Sequence, residues 1–168
     1  MSRELPEALD QLIARAESRQ PLGADAPQDA WTADALAERA TMYANRNERL
    51  NIDFRVDRLL FPDAQTMDPR VLRIPPGKNN EHHRHAHETL FVTLRGEGEV
   101  RVGDTWSRLE PGRVAFVPRW IFHQTRNTSS HEDLVILAIT DYGFTSAALG
   151  DYDKRTRLAE GGADVTEG

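Results

Sequence analysis

Gly77-Lys-Asn-Asn-Glu-His-His83-Arg-His85-Ala-His87-Glu-Thr89-Leu-Phe-Val-Thr-Leu-Arg-Gly96 is the stretch on which the reading of this chain turns. Four of the chain's six histidines, His82, His83, His85 and His87, fall inside it. The run Thr89–Leu94 is β-type. If the strand character reaches back to the histidines, His83 and His85 point to the same face and His82 to the other. His87 shares the parity of His83 and His85 as long as the strand stays regular. An imidazole pair at i, i+2 can occupy two adjacent positions around one metal ion, and a third imidazole from a neighbouring strand would complete a set. The plain alternative is a solvated, His-rich turn.

A second stretch follows: Gly112, five residues, Pro118, four residues, His123, three residues, Asn127. Fifteen residues, Glu97 to Pro111, separate it from the first. Together the two strings resemble the paired signature motifs of the cupin superfamily, Gly-x5-His-x-His-x3,4-Glu-x6-Gly and Gly-x5-Pro-x-Gly-x2-His-x3-Asn. The resemblance covers residues 77–127. It implies a small jelly-roll β-barrel with one metal ion inside its mouth, held by His83, His85 and His123.

Two positions depart from the pattern. Trp120 stands in place of the second motif's glycine, which serves a turn, so either the local backbone differs or a bulky group sits near the mouth. Thr89 stands in place of the ligand glutamate, with Glu88 one residue early and facing away on a regular strand. A β-bulge would be needed to bring Glu88 inward. The expectation is therefore a neutral three-histidine site. His87 is a candidate fourth ligand or base, and His87, Glu88 and Thr89 are the candidate catalytic residues. Inner-face parity adds Phe91, Thr93, Ile121 and Thr125 as lining. Arg73 and Arg119 are candidates for pairing with a substrate carboxylate. His131 lies in a polar turn and carries no role.

Working outward, short β-type runs continue on both sides. Ile52, Phe54 and Val56 alternate with charges, and further runs occur at Val71–Ile74, Glu99–Val102, Trp106–Leu109, Val114–Val117, Phe122–Thr125 and Leu134–Thr140. Turn signals separate them, among them Pro75-Pro76-Gly77, Gly96-Glu-Gly98 and Gly103-Asp104. About eight strands at this spacing predict a β-sandwich or barrel. Before them, Leu5, Leu9, Leu12, Ile13 and Ala16 recur at helical spacing, and a second helix is predicted from about Trp31 to Asn45, with Leu36, Ala40 and Tyr43 as its apolar set. The fold class is mainly β, a single jelly-roll barrel over 49–150. An N-terminal α-helical extension over 1–48 and a flexible charged tail over 151–168 flank it.

Composition narrows the function. The chain has 168 residues, 21 Lys plus Arg against 27 Asp plus Glu, a balance of −6, which argues against nucleic acid as partner. The absence of cysteine removes disulfides, thiolate-bound zinc, iron–sulfur clusters and thiol nucleophiles. The start shows no apolar leader, and no apolar run reaches the ~18 residues of a membrane helix. The expectation is a cytoplasmic protein with a small-molecule substrate and no membrane partner. Homodimerisation is expected too, because the apolar stripe of the first helix needs covering.

Three neutral imidazoles leave a divalent ion near its full charge, which favours an anionic substrate that chelates through two atoms. Imidazole suits several ions. Fe(II) is favoured, with Zn, Mn, Ni or Cu possible, because some cupins with three-histidine iron sites are dioxygenases. A metal-dependent dioxygenase is thus the first reading that the resemblance implies. A non-redox isomerase, cyclase or lyase and a non-catalytic ligand-binding cupin stand beside it.

Overall fold

Alternation of buried and exposed side chains organises the structure, a computed structural model that describes residues 41–59, 66–149 and 157–159. Ten strands run in order through its main body: β1 (Thr41–Asn47), β2 (Ile52–Arg58), β3 (Asp68–Ile74), β4 (His83–His85), β5 (Thr89–Arg95), β6 (Gly98–Val102), β7 (Thr105–Leu109), β8 (Val114–Val117), β9 (His123–Asn127) and β10 (Leu134–Thr140). Helix α1 (Tyr142–Leu149) and strand β11 (Arg157–Ala159) follow. All ladders between strands are antiparallel. They build one six-stranded sheet in the order β1-β2-β3-β10-β5-β8 and one five-stranded sheet in the order β11-β4-β9-β6-β7.

The core lies between the sheets. Ile52 and Phe54 of β2, Leu72 and Ile74 of β3, Phe91 of β5, Val100 of β6 and Leu134 and Ile136 of β10 meet there, fully or almost fully buried. A second cluster of Leu59, Val71 and Val135, with Leu94 and Leu137, packs separately. These strands read as period-2 segments because one set of every alternate residue is apolar and enters the first cluster.

Asn127 shows why the second motif ends in asparagine. Its amide donates to the carbonyls of Ile74 (2.8 Å) and Glu132 (2.7 Å), while its side-chain oxygen accepts from the Ser129 amide (2.9 Å). One buried side chain thereby joins the ends of β3 and β9 to the turn that leads into β10.

Three sequence expectations change. The helix predicted from about Trp31 to Asn45 does not include its last five residues: Thr41 opens β1, which pairs with β2 in the register Tyr43↔Val56 and Asn45↔Phe54. Tyr43, Asn45 and Asn47 are half-buried and alternate with exposed Met42, Ala44 and Arg46, which is a strand period. Leu36, Ala40 and the first predicted helix lie outside the described residues. The tail expected to be unstructured from about 151 contributes β11, paired with β4 in the register Arg157↔His85 and Ala159↔His83. Helix α1 was not expected at all. No helix among the described residues is long and apolar enough to cross a membrane.

Two motif glycines serve different needs, which makes a paired test possible. Gly96 has φ +77°, and a Cβ there would collide with the backbone of Asp133. Gly112 has φ +83° but nothing near the place a Cβ would take. Gly112→Ala should cost only left-handed strain, about 1–2 kcal/mol. Gly96→Ala should cost clearly more, roughly 3 kcal/mol or above, because backbone must move as well. Urea unfolding of the two variants decides this, and equal losses would contradict it.

Candidate metal centre

Strand alternation supplies the site. β4 turns His83 and His85 into the interior and leaves Arg84 half-buried between them. His82, with the opposite parity, lays its ring against Phe122 at 5.0 Å. β9 begins with His123, which pairs directly across the ladder with His83. The three buried rings face one another at centroid distances of 5.4, 4.3 and 4.6 Å for the pairs 83–85, 83–123 and 85–123. One nitrogen from each lies within 4.8 Å of the other two.

Which nitrogen that is follows from hydrogen bonding. Nδ1 of His83 donates to the Glu81 carbonyl at 2.9 Å. Nδ1 of His85 donates to the His87 carbonyl at 2.8 Å, and Nδ1 of His123 to the Ile121 carbonyl at 3.0 Å. A carbonyl only accepts, so each Nδ1 must carry the proton. Each Nε2 is then left as a lone-pair donor, which is what a metal ion requires. Among the described residues no carboxylate joins the set. The arrangement fits one divalent ion, with His83, His85 and His123 as its holders.

The neighbouring candidates separate. His87 is buried and stacks on the His85 ring at 3.6 Å with 9° between the planes, while its other side meets Tyr142 edge-on at 5.8 Å. It backs His85 and is not one of the three. Thr89 and Thr125 are buried, and their hydroxyls have no hydrogen-bond partner among the described residues. Phe91 belongs to the core.

Glu88 lies just before β5, at the surface. Its side chain is 43% exposed and paired with Arg119, which also pairs with Asp141. The bulge that would have turned it inward is absent, and the structure does not bring it to the three imidazoles. Arg119 is thereby engaged at the surface and does not reach in as an anchor for a substrate carboxylate. Arg73 projects beside Asp57 at 3.8 Å, with Arg55 on the same carboxylate at 3.2 Å. Burial, reinforced by the like charge of Arg55, holds the Arg73 guanidinium below its ordinary pKa.

Trp120 stands in the left-handed region that favours glycine. Its φ is +57°, its amide donates to the His85 carbonyl at 2.8 Å, and its indole is 39% exposed with the Arg84 guanidinium 5.8 Å from the ring centre. A bulky residue accepts left-handed strain beside the ligands.

Two clusters escaped the sequence reading. Glu81 is fully buried, and its carboxyl accepts hydrogen bonds from the Tyr43 hydroxyl and from the Asn45 amide (2.6 Å). Parity with His83 and His85 was the available signal for it. Arg70, also buried, binds Asp68 through two nitrogens (3.0 and 2.5 Å), and its guanidinium lies 5.0 Å from the centre of the Tyr142 ring.

Comparison with known proteins agrees with this geometry. Residues 70–140 match the family model described as "Cupin domain". Auxin-binding protein 4 of Zea mays is 34% identical over 76 residues, a match spanning 38% of this chain and 36% of that protein. A cupin-2 domain structure from Rhodospirillum rubrum superposes with a TM-score of 0.58 at 21% identity, over 86% of this chain and 87% of the other. The salicylate 1,2-dioxygenase of Pseudoaminobacter salicylatoxidans superposes with a TM-score of 0.56 at 18% identity, over 64% of this chain and 31% of that one. At those identities the two structures speak for the fold. With the motif spacings, the two antiparallel sheets and the three-histidine cluster set beside the family match, residues 70–140 form a cupin domain.

Proposed function

We propose that this cupin is an Fe(II)-dependent dioxygenase acting on a small anionic substrate that chelates through two oxygens. The observation that carries the reading is the neutral ligand set: three imidazoles in the Nδ1–H tautomer and, among the described residues, no carboxylate beside them. A divalent ion held there keeps its charge for a substrate anion and, as Fe(II), supplies redox chemistry with dioxygen. The fold accommodates such work elsewhere, since one similar structure is a salicylate 1,2-dioxygenase. The assignment to this chain nevertheless rests on its own residues.

Those residues divide the task. The carbonyls of Glu81, His87 and Ile121 fix the ligand tautomers. The Thr89 and Thr125 hydroxyls, buried without a partner among the described residues, are the donors and acceptors we assign to substrate oxygens. His87, stacked against His85, is the group we assign to proton shuttling, which it would do without displacing a ligand. A small aromatic or enolisable acid suits such a lining better than a sugar polymer does.

Oxygen-electrode measurements on Fe(II)-loaded protein, with catecholates, hydroxybenzoates and α-keto acids, test the reading. Uptake is expected with substrates bearing two adjacent oxygen donors and should vanish when zinc replaces iron. Turnover by the zinc form under argon would overturn it in favour of Lewis-acid chemistry. Ligand binding unchanged by metal removal would overturn it in favour of a binding module.

Thr89→Glu is the complementary variant. A carboxylate restored at the motif position should tighten metal binding by about tenfold. It should also lower oxygen uptake, because it takes a substrate position and reduces the charge the substrate feels. Higher uptake in that variant would contradict the neutral-centre argument.

A further inference from the structure

We infer that Tyr43, Asn45 and Glu81 form a positioning clamp through which strand β1, outside the matched residues 70–140, sets the orientation of the metal ligand His83. The inference rests on the three-histidine reading of the site.

Glu81 is the buried end of the clamp. Its exposure is zero, and a carboxyl removed from water needs hydrogen-bond donors of its own. Two of them come from β1: the Tyr43 hydroxyl and the Asn45 amide both reach Oε1. Tyr43 and Asn45 are two residues apart, so one face of β1 presents both. Register with β2 holds that face in place, and the Tyr43 ring packs edge-on against Phe54 of the core at 5.5 Å. β1 is the edge of the six-stranded sheet, whereas Glu81 leads into β4 of the five-stranded sheet. The two hydrogen bonds therefore cross from one sheet to the other.

What they hold is the peptide that aims His83. The Glu81 carbonyl accepts the Nδ1 proton of His83 at 2.9 Å. On its other side Asn80 is tied to β9: its amide donates to the Thr125 carbonyl (3.0 Å), and its side-chain oxygen accepts from the Thr125 amide (2.6 Å). With Asn80 fixed through its backbone and Glu81 through its carboxyl, the carbonyl between Glu81 and His82 has little freedom to turn. The His83 ring inherits that restriction, together with the tautomer that exposes Nε2. A hydrogen-bonding partner behind a ligand histidine typically changes metal affinity by ~10–100-fold when removed.

Cobalt(II) affinity, measured by competition titration on the full chain, tests the clamp. Tyr43→Phe keeps the ring on Phe54 and removes only the hydroxyl. It should weaken cobalt binding several-fold, as should Asn45→Ala, and Glu81→Ala should weaken it by about 10–100-fold. Glu81→Gln retains an acceptor oxygen and should recover most of the loss. A second readout uses metal-free protein: long-range 15N spectra should show His83 as the Nδ1–H tautomer in the parent chain and as a mixture in Glu81→Ala. A merely structural role would lower the melting temperature of these variants while leaving cobalt affinity and the His83 tautomer unchanged, and that result overturns the clamp. If Glu81→Ala does not fold, Tyr43→Phe decides by the same criteria. A parent chain that fails to bind cobalt overturns the three-histidine reading and the clamp with it. Equal binding by parent and variants overturns the clamp alone.

Discussion

Three hydrogen bonds from imidazole Nδ1 to backbone carbonyls are the constraint on which the rest of the site depends. Each spans two residues: His83 to Glu81, His85 to His87 and His123 to Ile121. Such a bond fixes the ring about its side-chain torsions and decides which nitrogen carries the proton. Without it a neutral imidazole divides its population between two tautomers, and a metal ion must select the competent one at a cost in affinity. The ladder does the remaining work. Pairing of His83 with His123 across β4 and β9 brings rings 40 residues apart in sequence to 4.3 Å. The Trp120 amide holds the His85 carbonyl from the other side, which explains why a left-handed backbone is kept there even with an indole attached.

The three-histidine cluster was legible because its chemistry and its period coincide. Histidine at i and i+2 on a strand has one geometric meaning, and a glycine, a proline and an asparagine at fixed distances marked the turns around β9. Asn127 in particular proves to be a structural lock between three segments. Several strands between 52 and 140 were legible for a related reason: β2, β5 and β6 alternate buried and less buried residues along part of their length, and β10 is an apolar run of strand length.

What was not legible failed for physical reasons too. Residues 41–45 continue a spacing of apolar residues, Leu36, Ala40 and Tyr43, that fits a helix, yet the ladder with β2 and the inward Tyr43 and Asn45 make a strand of them. Tertiary pairing overrode a weak local pattern. Glu81 reads as surface because carboxylates usually are, and only the donors brought by β1 make its burial tenable. Arg119 and Glu88 satisfy one another at the surface, a pairing between distant segments that no local pattern announces. Strand β11 is three residues long and exists by virtue of the β4 edge it covers.

We propose that His83, His85 and His123 together hold one divalent ion. Elemental analysis by mass spectrometry, on protein purified without added metal, tests it most directly. The chain should carry about one divalent ion per molecule. His83→Ala, His85→Ala and His123→Ala should each lose most of it, while His131→Ala keeps it. Full occupancy in the His123→Ala protein would contradict the claim.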